Sequence, residues 1–144
     1  MSDQWVKVPG SALKISVAPD GNPWIVNNQK QIFRFDGTDW EKMPGEAMDI
    51  SIGKEGIVWI VGVKFMGDGY NILKWNGNNW EEDDIQKDGV KIAVDNNGIP
   101  CHIGKKGDVY FPIEGSNDWY RGKGKAIGCG GDGSIWIVKP IDKS

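Results

Sequence analysis

Tryptophan is the residue type whose recurrence in this chain could do chemistry. Three of the eight tryptophans stand in the same tripeptide, Trp-Ile-Val, and they are Trp24, Trp59 and Trp136. A flat indole ring can stack on the apolar face of a sugar, and it can equally fill the space between packed sheets. The tripeptide therefore predicts either repeated ligand-binding surfaces or repeated core positions, and both interpretations stay open.

A second series of tryptophans runs in step with the first and consists of Trp5, Trp40, Trp80 and Trp119. Each begins a short segment that we assign to an outer strand. Packing between sheets is the favoured interpretation, because large aromatic side chains dominate protein cores. Trp75 belongs to neither series and replaces Phe35 of the preceding repeat, so we expect it at a core site.

Asparagine and aspartate side chains recur in the predicted turns and would place hydrogen-bonding groups beside the aromatic rings. The polar candidates for ligand binding are Asn27, Asp36, Asn76 and Asn78. Binding residues are often found on loops held by a rigid scaffold. The same residue types also stabilise turns by themselves, because they tolerate left-handed backbone. Their recurrence in several repeats is the reason to keep them as ligand candidates.

No constellation in the sequence predicts an enzyme. The single histidine, His102, stands beside Cys101 in a predicted strand, where neighbouring side chains point to opposite faces. The pattern G-x-G-x-x-G at 128–133 precedes a strand, whereas a dinucleotide site requires a helix there. We therefore predict a non-catalytic protein with no cofactor and no metal site.

Composition restricts the partners. The net charge is −3 and the basic residues are scattered, which argues against nucleic-acid binding. No apolar run predicts membrane insertion, and the start of the chain does not resemble a secretory signal. The two cysteines, Cys101 and Cys129, are too few for a disulfide framework and are expected to be reduced and buried. These features predict a cytoplasmic protein, with non-classical export as an open route.

The fold follows from internal repetition with a period of about 35 to 42 residues. Each unit contains a short apolar strand, a turn with Gly, a second strand and two more strands. A single meander of this size cannot bury its apolar surface alone, and radial stacking solves that problem. We predict an all-β single domain, a β-propeller of short four-stranded antiparallel blades with units at about 11–45, 46–86, 88–123 and 124–144.

The fourth unit ends after two predicted strands. Residues 5–10 repeat the pattern of residues 40–45, so we expect residues 3–10 to complete the last blade. A last blade split between the two ends of the chain is the closure device of β-propellers. The alternative is that the open end pairs with a second chain, as a homodimer that closes the propeller.

The Trp-led outer strands and the Gly-x-x-Trp-x-Val second strands, as in residues 56–61, resemble the tectonin β-propeller repeat family. The resemblance covers essentially the whole chain. It implies a lectin that binds glycans or glycoconjugate surfaces at repeated sites. The alternative is a protein-interaction or structural propeller without a sugar site, because fold alone does not decide function. The third repeat departs from the pattern, since Cys101-His102 replaces its tryptophan.

Overall fold

A computed structural model describes residues 11–83, 88–112 and 119–139, and in these ranges the chain is all-β. The backbone there forms fourteen strands in four small antiparallel sheets, which are propeller-like blades. Within the described ranges, no helix is long and apolar enough to cross a membrane. The predicted completion of the last blade by residues 3–10 lies outside the described residues.

Each of the first three blades is a meander of four strands. Blade 1 contains β1 (Lys14–Val17), β2 (Pro23–Val26), β3 (Gln31–Phe35) and β4 (Trp40–Glu46). Blade 2 contains β5 (Asp49–Ile52), β6 (Val58–Phe65), β7 (Tyr70–Trp75) and β8 (Trp80–Glu82). Blade 3 contains β9 (Lys91–Val94), β10 (Pro100–Ile103), β11 (Asp108–Pro112) and β12 (Trp119–Lys123). Blade 4 contributes β13 (Ala126–Cys129) and β14 (Ile135–Val138).

The turn between the first two strands has the same geometry in all four blades. Its last residue is a glycine that donates its N–H to the carbonyl oxygen three residues earlier, at 2.9 to 3.1 Å. The four glycines have φ between 80° and 92°, and they are Gly21, Gly56, Gly98 and Gly133. Residues with a Cβ rarely adopt this left-handed region, which explains why Gly recurs there.

Blades stack through their first strands, β1, β5, β9 and β13. Polar groups join neighbouring blades: the Ser16 hydroxyl accepts the backbone N–H of Ile52 at 3.0 Å, and the Asp49 carboxylate accepts that of Ile92 at 3.0 Å. Burial raises the pKa of Asp49, although the backbone N–H groups of Ile92 and Ile50, which both donate to its carboxylate, favour the charged form.

Alternate residues of each strand face the preceding blade or the following one, which we call the backward and forward faces. Trp24 and Val26 on the forward face of blade 1 pack with Ile50, Val58 and Ile60 of blade 2. The predicted burial of the second strands on both faces is therefore confirmed for β2, β6 and β10. β14 departs from it, because its forward face has no blade against it among the described residues.

The interface between blades 3 and 4 contains two cysteines, Cys101 and Cys129, in place of a buried tryptophan. Cys101 stands where blades 1 and 2 have tryptophan, and it is fully buried. Its thiol forms a hydrogen bond with Cys129 of β13, which is only half-buried rather than buried as expected. Both cysteines are free thiols. Two small thiols thus replace the large indole contact of the earlier interfaces.

Candidate functional site

The three tryptophans of the Trp-Ile-Val tripeptides have two different environments. Trp24 is 5% exposed and Trp59 is 4% exposed, and both lie between blades. A sugar cannot stack on either ring in this conformation. Trp136 is 74% exposed, because the forward face of blade 4 is uncovered among the described residues. Trp24 and Trp59 are therefore core residues, and of these three tryptophans Trp136 alone presents an open surface.

Aromatic side chains that are partly accessible gather between blades 1 and 2. Trp75 and Trp80 are half-buried, and their ring centroids lie 5.0 Å apart. The buried Trp24 meets both edge-on, at 6.0 Å from Trp75 and 6.2 Å from Trp80. Edge-to-face contacts of this kind fix ring orientation. A buried indole therefore supports two rings that keep part of their surface in solvent.

The position of Trp80 is fixed by the outer strand of blade 1. Its indole N–H donates to the backbone carbonyl of Pro44 at 2.8 Å. The neighbouring Gly45 has φ of 82°, and a Cβ there would lie 3.2 Å from the indole. Glycine is thus needed at position 45 for its backbone conformation and for the close approach of the ring.

Charged groups border the same aromatic cluster. The guanidinium of Arg34 lies 5.4 Å from the centroid of the Trp24 ring, within the range of a cation–π contact. Arg34 also forms an ion pair with Glu41 at 2.7 Å. We call the set Trp24, Arg34, Glu41, Trp75 and Trp80 the aromatic cleft. It offers flat apolar surface beside a planar donor and a carboxylate.

The turn between Trp75 and Trp80 is held by one of the predicted ligands. The Asn76 side-chain oxygen accepts the backbone N–H groups of Asn78 and Asn79, at 2.8 and 2.7 Å. Its amide nitrogen donates to Glu81 at 2.8 Å. Asn76 is therefore engaged in its own turn, whereas Asn78 is exposed beside the cleft. Asn76 therefore stabilises the turn, and Asn78 has a side-chain amide that is accessible to a ligand.

Blade 1 repeats this arrangement. The Asp36 carboxylate accepts the backbone N–H groups of Thr38 and Asp39, at 2.8 and 2.7 Å. These donors lower the pKa of Asp36 below its ordinary value, with the bond from Asp39 contributing most. Phe35 and Trp40 bracket the turn, with centroids 5.0 Å apart. The turn and its aromatic pair thus occur twice with the same spacing.

Asn27 lies away from the aromatic cleft. Its side-chain oxygen accepts the N–H groups of Gln29 and Gln31, and its amide nitrogen donates to the Gln31 side chain. Asn27 lines a shallow groove of about 120 Å³ whose other walls include Leu13, Lys14 and Met48. Because its amide groups are used within the turn, Asn27 serves to shape this groove.

The interface between blades 2 and 3 shows part of the same pattern. The Lys74 ammonium lies 5.7 Å from the centroid of the Trp59 ring, as Arg34 lies against Trp24. Among the described residues, the buried indole N–H of Trp59 has no hydrogen-bond partner. Residues 113–118 of blade 3 lie outside the described residues. The cation over a buried indole is therefore a repeated feature.

Sequence reasoning assigned Trp75 and Trp80 to packing and did not select Arg34. The sequence did contain a pattern that indicates the aromatic pair: each turn reads aromatic-Asx-Gly-x-Asx-Trp, at residues 35–40 and 75–80. Since Trp75 pairs with Trp80 across the hairpin, that spacing places two rings side by side. The contribution of Arg34 requires contact between blades, which no local pattern indicates.

A solved structure and a protein-family model match this chain. A solved structure described as "YCF48 bound to D1 peptide" is similar, with 18% sequence identity and a TM-score of 0.47. The match covers 79% of this chain, which spans 39% of the length of that one. A search of curated proteins finds no match. The tectonin domain matches residues 1–143, so the chain belongs to the tectonin domain family.

Proposed function

We propose that the protein is a non-catalytic lectin and that the aromatic cleft is a glycan-binding site. One observation carries the proposal: the half-buried rings of Trp75 and Trp80 both contact Trp24, and the guanidinium of Arg34 lies over that same Trp24 ring. The exposed Asn78 belongs to the turn that joins the two half-buried rings. Membership of the tectonin domain family, which is often associated with lectin activity, supports it. Neither catalysis nor a cofactor is needed for this function.

The chemistry of the cleft suits a sugar. The C–H groups on one face of a pyranose are apolar and fit against an aromatic plane, and indole stacking excludes water there. Hydroxyl groups at the ring edge can accept from the Arg34 guanidinium and donate to Glu41. The Asn78 amide supplies both a donor and an acceptor at the other side. These directional groups would fix the orientation of the sugar.

Each site is expected to be weak alone. Trp75 and Trp80 are half-buried and offer only part of each ring, so we expect a Kd of about 1 mM for one sugar, or roughly −4 kcal/mol. The second turn with its aromatic pair, Phe35 and Trp40, offers a related surface on blade 1. Linked weak sites can raise overall avidity by about 10² to 10⁴ on a surface that displays many copies of one glycan. A multivalent glycoconjugate surface is therefore the proposed partner.

A glycan array tests the proposal, with retention of the wild-type protein as the first readout. Trp75→Phe is the test variant, because blade 1 carries Phe35 at the equivalent position and the fold accepts it. We expect retention of the wild type and a loss of about tenfold for Trp75→Phe. Met66→Gln, a change at an exposed residue between β6 and β7, is the matched control and should bind as the wild type does.

Two results would reject the proposal. Absence of retention on every glycan surface would reject the lectin, provided that the protein is folded by circular dichroism. Equal retention of wild type and Trp75→Phe would leave the lectin but remove the aromatic cleft as its site.

A protein-interaction or structural propeller is the second candidate. The observation that favours it is the exposure of apolar side chains at both ends of the array of blades, Ile15 at one end and Trp136 at the other. The free thiols of Cys101 and Cys129 support the proposal that either function is exercised in the cytoplasm, where thiols stay reduced.

A further inference from the structure

The two ends of the stacked blades expose apolar side chains. On the backward face of blade 1, Leu13, Ile15 and Val17 along the first strand are 56 to 69% exposed, whereas Ile25 of β2, which pairs with Ile15, is buried. On the forward face of blade 4, Trp136 and Val138 are 74% and 58% exposed. A Cβ added at Gly128, in the neighbouring strand β13, would meet no atom within 4 Å, so this face is open there as well. Contiguous apolar surface of this kind marks interaction sites.

Both faces have buried counterparts inside the chain. Trp136 and Val138 occupy the repeat positions of Trp24 and Val26, which are 5% and 2% exposed because blade 2 covers them. Ile15 and Val17 occupy the positions of Ile50 and Ile52, which pack in the interface between blades 1 and 2. Each end face is therefore one half of an interface that the chain builds elsewhere.

The aromatic residues extend this equivalence. Trp24 meets the Trp75–Trp80 pair edge-on, and the equivalent pair on blade 1 is Phe35 and Trp40. Trp136 is the residue that corresponds to Trp24. An interface between blade 4 and blade 1 would therefore place the Trp136 ring against Phe35 and Trp40, as in the existing cleft.

We propose that the forward face of blade 4 in one copy docks on the backward face of blade 1 in a second copy. The surface patches differ, so the contact is head-to-tail, and such contacts form a ring when the rotation closes. Propellers have about four to eight blades, and two copies of the four sheets formed by the described residues stay within that range. This goes beyond the proposed glycan binding and holds whether or not a sugar is bound.

The chemistry of the faces predicts how the association responds to salt. Between blades 1 and 2 and between blades 2 and 3, the polar side chains of Ser16 and Asp49 accept a backbone N–H from the next blade. β13 has Ala126 and Gly128 at the corresponding forward positions. Because this end face lacks charged groups in β13 and β14, dimerisation should be insensitive to sodium chloride between 0.05 and 0.5 M, or about a tenfold range.

The test is the native mass of the full chain by light scattering and native mass spectrometry. We expect a dimer for the wild type and a monomer for Trp136→Glu, with unchanged circular dichroism, because Trp136 is exposed within the chain. Ile15→Glu, on the opposite end face, should also be monomeric. Met66→Glu changes an apolar residue of 52% exposure away from both faces and should remain dimeric.

Mixing Trp136→Glu with Ile15→Glu distinguishes a head-to-tail contact from a symmetric one. Trp136→Glu keeps an intact blade 1 face, and Ile15→Glu keeps an intact blade 4 face, so the mixture should recover a heterodimer. A monomeric wild type would overturn the proposal, whether its faces stay open or close on each other. A wild-type dimer that survives both substitutions would overturn it too, as would a mass that grows beyond two copies with concentration.

Discussion

The indole of Trp80 donates its N–H to the carbonyl oxygen of Pro44 at 2.8 Å, and this bond joins the outer strands of two consecutive blades. The hydrogen bond fixes the ring that forms one side of the aromatic cleft. The same bond gives Trp80 a structural role, although part of its ring is exposed to solvent. One residue thus serves blade packing and a candidate binding surface together.

Replacing Trp80 by Phe should destabilise the protein through loss of this bond. Trp75→Phe removes the same part of an indole ring without breaking the contact to Pro44, so it is the matched control. Because Pro44 is exposed, water can replace the lost donor, and loss of such a hydrogen bond costs about 0.5 to 1.5 kcal/mol. In urea unfolding, the free energy of unfolding of Trp80→Phe should therefore be lower than that of Trp75→Phe by about that amount. Equal midpoints would show that the bond contributes nothing.

The glycine that ends each first turn should be sensitive to substitution for conformational reasons alone. Gly21 has φ of 88°, and a Cβ at this position would stand in open space, so no clash contributes to the effect of Gly21→Ala. Left-handed backbone costs a residue with a Cβ about 1 to 2 kcal/mol. Gly131→Ala is the control, because its Cβ also meets open space and blade 1 has Pro19 at that turn position.

In thermal unfolding, Gly21→Ala should lower the Tm by several degrees, and Gly131→Ala should leave it unchanged or raised slightly. The opposite ranking would contradict the assigned turn geometry, since space is available at both positions.

The Asp36 turn should show a pH dependence that its counterpart lacks. Backbone donors lower the pKa of Asp36 below 3.8, so the folded state binds its proton less tightly than the unfolded state does. The resulting stabilisation is present above the unfolded value and is lost as the pH falls through the lowered pKa. NMR titration of the carboxyl carbon should place that pKa below 3.8.

Asp36→Asn is the matched variant, because Asn76 holds the equivalent turn in blade 2 with the same two backbone donors. It should keep the turn and reduce the loss of stability between pH 4 and 2, a range that extends about two units below the ordinary Asp value. An unshifted Asp36 pKa would refute the hydrogen-bonding scheme.

The two thiols between blades 3 and 4 should differ in reactivity. The hydrogen bond with Cys129, together with burial, raises the pKa of Cys101, and the same bond lowers the pKa of Cys129. Cys129 is half-buried and Cys101 is fully buried, so accessibility acts in the same direction. Iodoacetamide at pH 8 should label Cys129 about tenfold faster, since the thiolate is the nucleophile. Mass spectrometry that finds equal rates would contradict this.

The repeat made the architecture predictable from sequence. Gly21 and its equivalents mark the first turns, and Asp36-Gly37 and Asn76-Gly77 mark the outer hairpins, so the strands could be placed closely. These signals are local, because a glycine with positive φ is required by the turn itself. The departure of β14 could not be predicted in this way, since Trp136-Ile137-Val138 is identical to the buried tripeptide of β2.

The candidate site was less predictable for the same reason. A tryptophan is buried or exposed according to whether a further blade covers it, and Trp24 and Trp136 stand in identical tripeptides although one is buried and the other exposed. The interpretation of Asn76 and Asp36 as turn residues needed only local chemistry, and the structure shows the expected hydrogen bonds. The cleft at Trp75 depends on a neighbour from another blade, which sequence patterns do not report.

The most direct test of the central claim is a chemical-shift map of the protein titrated with the glycan that the array retains best. Backbone amides of residues 76–80, the indole N–H of Trp75 and the side-chain N–H of Arg34 should shift together with one saturation curve. The same titration of Trp75→Phe should show those shifts reduced about tenfold in apparent affinity. Shifts confined to other parts of the chain, with these groups unmoved, would contradict the assignment of the aromatic cleft as the glycan site.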